Sequence, residues 1–356
     1  LPDVWIGVRK MAVTANPAVE QRRVGQRFLP GAPPTPLHET DVPSALRKVA
    51  VVVDAGCEID PAMIARLGIL VLPRPVQVNG RMQTLDETCT LHHACWNSAL
   101  PRITLKSYDL GTLAQRYSRA LADGFSILAL HLPERLDPTT RLALAARSIL
   151  LAGQSRASGS ARRIAVYELA AIGQSFAFLV EAAAQGASEG MALHQLMTLL
   201  DRLQAAQHSV YLTGLRGPFE RVCHPGRPKE GGWLGSEQIW TLDRADGLFH
   251  CQARGWNLAQ TLFSERGALA GREEVVVRST NLRLLERINA GRAQNGLPPL
   301  VAEPGGLSLT TLFPGDCVEL ACLPDAAHIA RIRDVIRRID RQSDQSGRVG
   351  WWKGGS

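Results

Sequence analysis

The chain has 356 residues, 45% of them hydrophobic, which is enough for two ordinary domains with a sizeable core and excludes a disordered or fibrous protein. Its formal net charge of +7 favours anionic partners in principle, but the basic residues are dispersed except at Arg162-Arg163 and along Arg331, Arg333, Arg337, Arg338 and Arg341. Asp334 and Asp340 interrupt that last run, with no aromatic interleaving or zinc-finger spacing, so it reads as a solvated helix face rather than a nucleic-acid surface.

Residues 1–48 contain Pro17, Pro30, Pro33, Pro34, Pro36 and Pro43 among few periodic apolar positions and read as an extended arm. The fold is expected to begin near Lys48. There V-A-V-V-V-D (49–54) is a β-branched strand ending in a polar turn, followed by P-A-M-I-A-R-L-G, a short helix with a glycine stop. A second strand is expected over 69–76, leading to a tight reversal at Asn79-Gly80 and back into 81–84. An amphipathic helix over 110–122, a buried strand over 126–131 and a helix from Thr139 to about Ala152 continue the βαβ rhythm.

A strand over 163–167 precedes helices over 173–185 and 191–206, and the alternation predicts a mainly parallel sheet covered on both faces. A strand over 209–213 follows, then a Gly-, Pro- and Trp-rich stretch to Gly235. The last third repeats the alternation more weakly: strand 238–242, helix 256–266, strand 274–278, helix 281–295, then apolar segments 307–312 and 317–321. These form a second, smaller α/β lobe. A helix over 326–341 and a flexible tail over 342–356 close the chain. The expected division is thus an arm (1–48), an N-terminal lobe (49–205), a C-terminal lobe (206–341) and a tail.

Enzyme signatures do not appear. The turn after the first strand reads D-A-G-C-E where a dinucleotide fold needs G-x-G-x-x-G, and there is no phosphate-binding G-x-x-x-x-G-K-[ST] or G-x-S-x-G elbow. Cys89, His92, His93 and Cys95 match no standard zinc spacing and read as structural, as does Cys223-His224. Asp54 and Asp86 stand at strand ends, where open α/β sheets bind ligands; capping or bracing a loop is the plainer role. The seven cysteines include no C-x-x-C pair and fit reduced thiols. No apolar run is long enough to cross a bilayer and no secretory signal opens the chain, so a cytoplasmic location is expected.

From about residue 49 to 323 the order of these pieces resembles the DegV family. V-V-V-D-A-G-C-E-I-D-P-A-M-I-A-R-L-G-I-L-V-L-P (51–73) is similar to that family's strand, Asp-Ser-Thr turn, short helix and second strand, and V-N-G-R-M-Q-T-L-D-E (78–87) to its hairpin. I-T-L-K-S-Y-D (103–109) and L-H-L-P-E-R-L-D-P-T-T-R-L-A (130–143) stand at its two Thr/Ser loops, and F-P-G-D-C-V-E-L (313–320) resembles its Gly-Pro-Gly strand.

The resemblance implies a two-lobed α/β carrier that encloses a long-chain fatty acid, its carboxylate held by loop hydroxyls, with no catalytic residues, metal or cofactor beyond the lipid. It places Thr104 or Ser107 and Thr139 at the head group. Asp137 stands where the family has a serine and Thr311 where it commonly has a histidine, while Lys106, Arg135 and Arg141 offer charge in the same loops. The alternative reading is a ligand-free paralogue that acts as an interaction subunit through the arm and the Trp351-Trp352 tail.

Overall fold

The computed structural model describes residues 49–54, 59–78, 80–85, 103–153, 163–214, 236–264, 267–269, 275–313 and 317–349. The Pro-rich arm, Asp86, Cys89, His92, His93 and Cys95, the Cys223-His224 pair and the Trp351-Trp352 end lie outside the described residues.

A strand buried on both faces must be apolar at every position, and the V-A-V-V-V-D run is β1 (Val49–Asp54), buried throughout. It lies inside a parallel sheet of order β2-β1-β6-β7, with β2 (Leu70–Leu72), β6 (Ser126–His131) and β7 (Ile164–Glu168). Successive side chains point to opposite faces. Val52, Ile127 and Ala129 therefore pack against α2 (Leu110–Ala122) and α3 (Thr139–Gly153), while Val51, Val53, Leu128 and Leu130 face α4 (Gly173–Ser188). Helix α1 (Pro61–Leu67), between β1 and β2, starts at Asp60, whose carboxylate accepts from the Ala62 N–H at 3.0 Å, and stops at Gly68 with φ +63°.

The single strand expected over 69–76 is two strands in two sheets. Pro73 has no N–H to donate, so the ladder with β1 ends at the Asp54–Leu72 pair. The chain re-emerges as β3 (Arg74–Val78), which pairs antiparallel with β4 (Arg81–Leu85) and β5 (Ile103–Leu105). The expected reversal is present: Val78 pairs with Arg81 across a two-residue turn in which Gly80 has φ +84°.

After α5 (Leu193–Ala206) comes a six-stranded sheet of order β10-β9-β8-β13-β11-β12, comprising β8 (His208–Thr213), β9 (Glu237–Leu242), β10 (Phe249–Gly255), β11 (Val276–Ser279), β12 (Ala302–Pro304) and β13 (Cys317–Cys322). Within it only β11 and β12 run parallel, so the parallel character belongs to the first sheet. The helix expected over 256–266 shrinks to α6 (Leu258–Thr261), because Asn257 enters with φ +64° and the chain turns back where the Gly267 N–H donates to Ser264 O. Helices α7 (Leu282–Gln294) and α8 (Leu307–Leu312) complete this part.

Helix α4 lies against β1 on one side and β11 and β13 on the other, so one apolar core runs from Val51 and Leu130 through Phe176, Leu179 and Val180 to Tyr211, Phe249 and Phe313. Its N-terminus is tied to the second sheet. The fully buried carboxylate of Glu319 on β13 accepts from the N–H groups of Gln174 (2.8 Å) and Ser175 (3.1 Å) and from the Ser175 hydroxyl (2.9 Å). A carboxylate at a helix N-terminus meets the unsatisfied N–H groups and the positive end of the helix dipole.

The last helix, α9 (Ala326–Val349), continues beyond Arg341. Its arginines do not all form a solvated face. Ile332 and Ile336 are buried, and between them Arg333 donates from Nη1 to Glu189 (2.8 Å) and from Nη2 to the Ala182 carbonyl (3.2 Å), because a buried guanidinium needs partners for its fork.

Candidate ligand-binding site

Ligands of parallel sheets bind beyond the carboxyl ends of the strands. There β1 delivers Asp54, β6 delivers His131, and the break at Pro73 turns Arg74 into the same region. All three are buried, as are Asp137 and Thr139 at the start of α3.

Asp137 organises the cluster. One carboxylate oxygen accepts from the Thr139 N–H (2.9 Å) and the Thr139 hydroxyl (2.5 Å), as a cap for α3; the other accepts from Arg74 Nη1 at 2.5 Å. Arg74 also lies 3.9 Å from Asp54 and stacks over the Tyr108 ring at 5.4 Å, while the Tyr108 hydroxyl donates to the Leu72 carbonyl. Burial works against the guanidinium's charge, but the carboxylates of Asp54 and Asp137 outweigh it and raise the pKa above its ordinary value. On the other side, His131 Nδ1 is 3.9 Å from Asp54 and Nε2 is 3.3 Å from the Tyr117 hydroxyl. Burial first, then the Asp54 charge, pushes the Tyr117 phenol well up, so it keeps its proton. Arg74 Nε and His131 Nδ1 are buried polar atoms with no hydrogen-bond partner among the described residues.

Tyr117 also lines a cleft of about 300 Å³ between α2 and the β1–β2 edge, with Val52, Leu70, Leu72 and Ala120 as apolar wall and Arg116 and Arg119 among its polar lining. That volume is at the small end of ligand pockets.

The residues expected at the head group divide into two sets. Asp137 and Thr139 are buried and bonded to one another. Thr104 on β5 and Ser107 are exposed, and Lys106 is half-buried, its N–H donating to the Pro75 carbonyl. Thr311 is half-buried on α8, which packs against β5, so the elements carrying Thr104 and Thr311 are neighbours. The cation for Asp137 comes from none of the loop residues: Arg135 is exposed, and Arg141 pairs with Glu134. It comes from Arg74, which sequence reasoning missed together with His131. The available signals were a charge inside L-V-L-P-R-P-V and a lone histidine closing the buried strand S-I-L-A-L-H.

Tyr167 and Glu168, at the end of β7, turn to local partners. The Tyr167 hydroxyl donates to Asp201 at 2.5 Å, and Glu168 accepts from the Glu134 N–H. The one grouping of metal-type side chains among the described residues is Asp243, Asp246 and His250, with ligand atoms within 4.8 Å of one another. It sits in the β9–β10 turn, where Asp243 and Asp246 accept from the N–H groups of Ala245 and Leu248 and thereby shape the hairpin.

Fold and site define an α/β protein with a buried polar cluster at the carboxyl edge of a parallel sheet. Residues 48–214 match the model of the family described as "Uncharacterised protein, DegV family". A fatty-acid-binding DegV-family protein from Thermus thermophilus shares the fold with a TM-score of 0.58 at 19% identity, over 78% of this chain and 100% of that one. A stearic-acid-binding protein from Eubacterium ventriosum gives 0.57 at 13% identity, over 77% and 97%. A DegV-family protein from Eubacterium eligens loaded with heptadecanoic acid gives 0.55 at 16% identity, over 78% and 100%. No curated protein matches the chain. Among the described residues no helix is long and apolar enough to cross a membrane.

Proposed function

We propose that the chain is a non-catalytic carrier of a long-chain fatty acid or similar amphiphile, held between an N-terminal lobe (49–205) and a C-terminal lobe (206–341). The observation that carries this reading is the buried Asp54–Arg74–Asp137–His131 cluster, set at the ligand-binding edge of a fold shared with fatty-acid-loaded proteins. In this reading Asp137 and Thr139 form the inner wall of the head-group site, and Thr104, Lys106, Ser107 and Thr311 its outer wall on the β5–α8 side. The chain's contribution is shelter: each methylene removed from water is worth roughly 0.8 kcal/mol, so a dozen of them offset about 10 kcal/mol of the cost of ordering the ligand. A cytoplasmic location belongs to the same reading.

Native mass spectrometry of freshly purified protein, followed by organic extraction, tests it. A stoichiometric adduct that extracts as a single-chain lipid is the expected result. A clean apo mass that stays apo after incubation with a mixture of fatty acids, monoacylglycerols and fatty alcohols overturns it. That outcome leaves the paralogue that works through a protein partner of the arm or tail.

A further inference from the structure

We infer that the head-group site selects a neutral polar group, a hydroxyl or an amide, over a carboxylate. The inference rests on the carrier reading and narrows its ligand class. An anionic head group needs several donors together with positive charge, and at this cluster the Thr139 donors and Arg74 Nη1 are committed to Asp137. The Thr139 N–H and hydroxyl are directed to one oxygen of Asp137, and Arg74 Nη1 to the other. The protein's own carboxylate therefore takes the interactions that an incoming one would use.

The charge count points the same way. Asp137 is a buried carboxylate, and among the described residues Arg74 is the one lysine or arginine that pairs with it. A further carboxylate brought to this edge meets the charge of Asp137 in a poorly solvated place, where such repulsion is screened least. Single buried atoms are what remains to be satisfied: among the described residues the Arg74 Nε–H donor and His131 Nδ1 have no hydrogen-bond partner. A hydroxyl or amide both accepts and donates, so it can satisfy an orphaned donor without adding charge.

The experiment compares three sixteen-carbon ligands on the delipidated full chain at pH 8: palmitate, 1-hexadecanol and 1-monopalmitin, each below its aggregation threshold, by competition against one fluorescent acyl probe. The expected result is that hexadecanol or monopalmitin displaces the probe at a concentration at least tenfold lower than palmitate. In the Asp137→Ser variant, which frees Thr139 and Arg74 Nη1, the ratio moves at least tenfold toward palmitate. The wild-type ratio needs no variant, so a folding defect in Asp137→Ser leaves the proposal falsifiable. Palmitate binding as tightly as the neutral ligands, or more tightly, overturns the head-group inference and leaves the carrier reading standing. Displacement by none of the three overturns the carrier reading, and the inference falls with it.

Discussion

Arg74 occupies a position where a charge survives only through its partners, since it is 3% exposed and touches Asp137, Asp54 and the Tyr108 ring. Removing one member of such a pair strands the other, which costs about 3–5 kcal/mol, whereas replacing both by apolar groups of similar volume is much cheaper. Asp137→Ala is therefore expected to lose about that much in urea denaturation, and Arg74→Met with Asp137→Leu to lie closer to wild type than either single change. Glu181 makes a prediction of opposite sign. Burial raises its carboxyl pKa, against the pull of Arg278 and Arg66. A raised folded-state pKa means that the stabilisation is fully present below the unfolded pKa and is lost as pH rises through the folded value. Glu181→Gln should therefore gain in urea midpoint relative to wild type at pH 7, and the gain should vanish by pH 4. Asp54 was legible as a candidate from its strand end, and Asp137 and Thr139 only through the resemblance to a family's loops. Arg74 was not, because its partner lies 63 residues away in sequence and a charge between two prolines reads as a solvated edge.

Helix α4 shows how an element is set by one backbone angle and one distant side chain. Gly173 has φ +59°, and a Cβ there would overlap the Glu319 carboxylate that caps the helix. Gly173→Ala therefore combines left-handed strain of about 1–3 kcal/mol with displacement of a charge-assisted cap. Gly190→Ala, at φ +84° with open space around its Cβ, incurs the strain alone. The first variant should be the less stable by roughly 2 kcal/mol in denaturant unfolding, the worth of a capping interaction in a favourable buried setting. Elements whose own sequence decides them were legible: β1, α2 and β6 by continuous or periodic apolar runs, and the hairpin by Asn79-Gly80. Those decided elsewhere were not. The strand over 69–76 splits because Pro73 withdraws an N–H from a ladder whose partner strand precedes it, and Arg333 leaves the solvated face because Glu189, 144 residues earlier, receives it.

At the scale of the molecule, the two sheets share a core on the faces they turn to α4, while each packs a further cluster of its own on the other face. A two-lobed protein with separate cores would unfold in two steps. Here Tyr211, Phe249 and Phe313 of the second sheet's side pack into the same cluster as Val53 and Leu130 of the first, with ring centroids 5.2–5.7 Å apart. Glu319 adds a polar tie across the same junction, linking β13 to the helix that covers β1. Loss of either sheet would leave α4 with an exposed apolar face and an unsatisfied N-terminus, so partial unfolding has little to gain. Scanning calorimetry of the apo protein should therefore give a single transition, with calorimetric and van't Hoff enthalpies equal. Phe313→Ala, a deletion worth about 3–5 kcal/mol in the second sheet's part of the core, should lower that one midpoint without splitting it. If the variant instead showed an early transition while far-UV circular dichroism still reported an intact first sheet, the sheets would be independent units and α4 would belong to one of them alone.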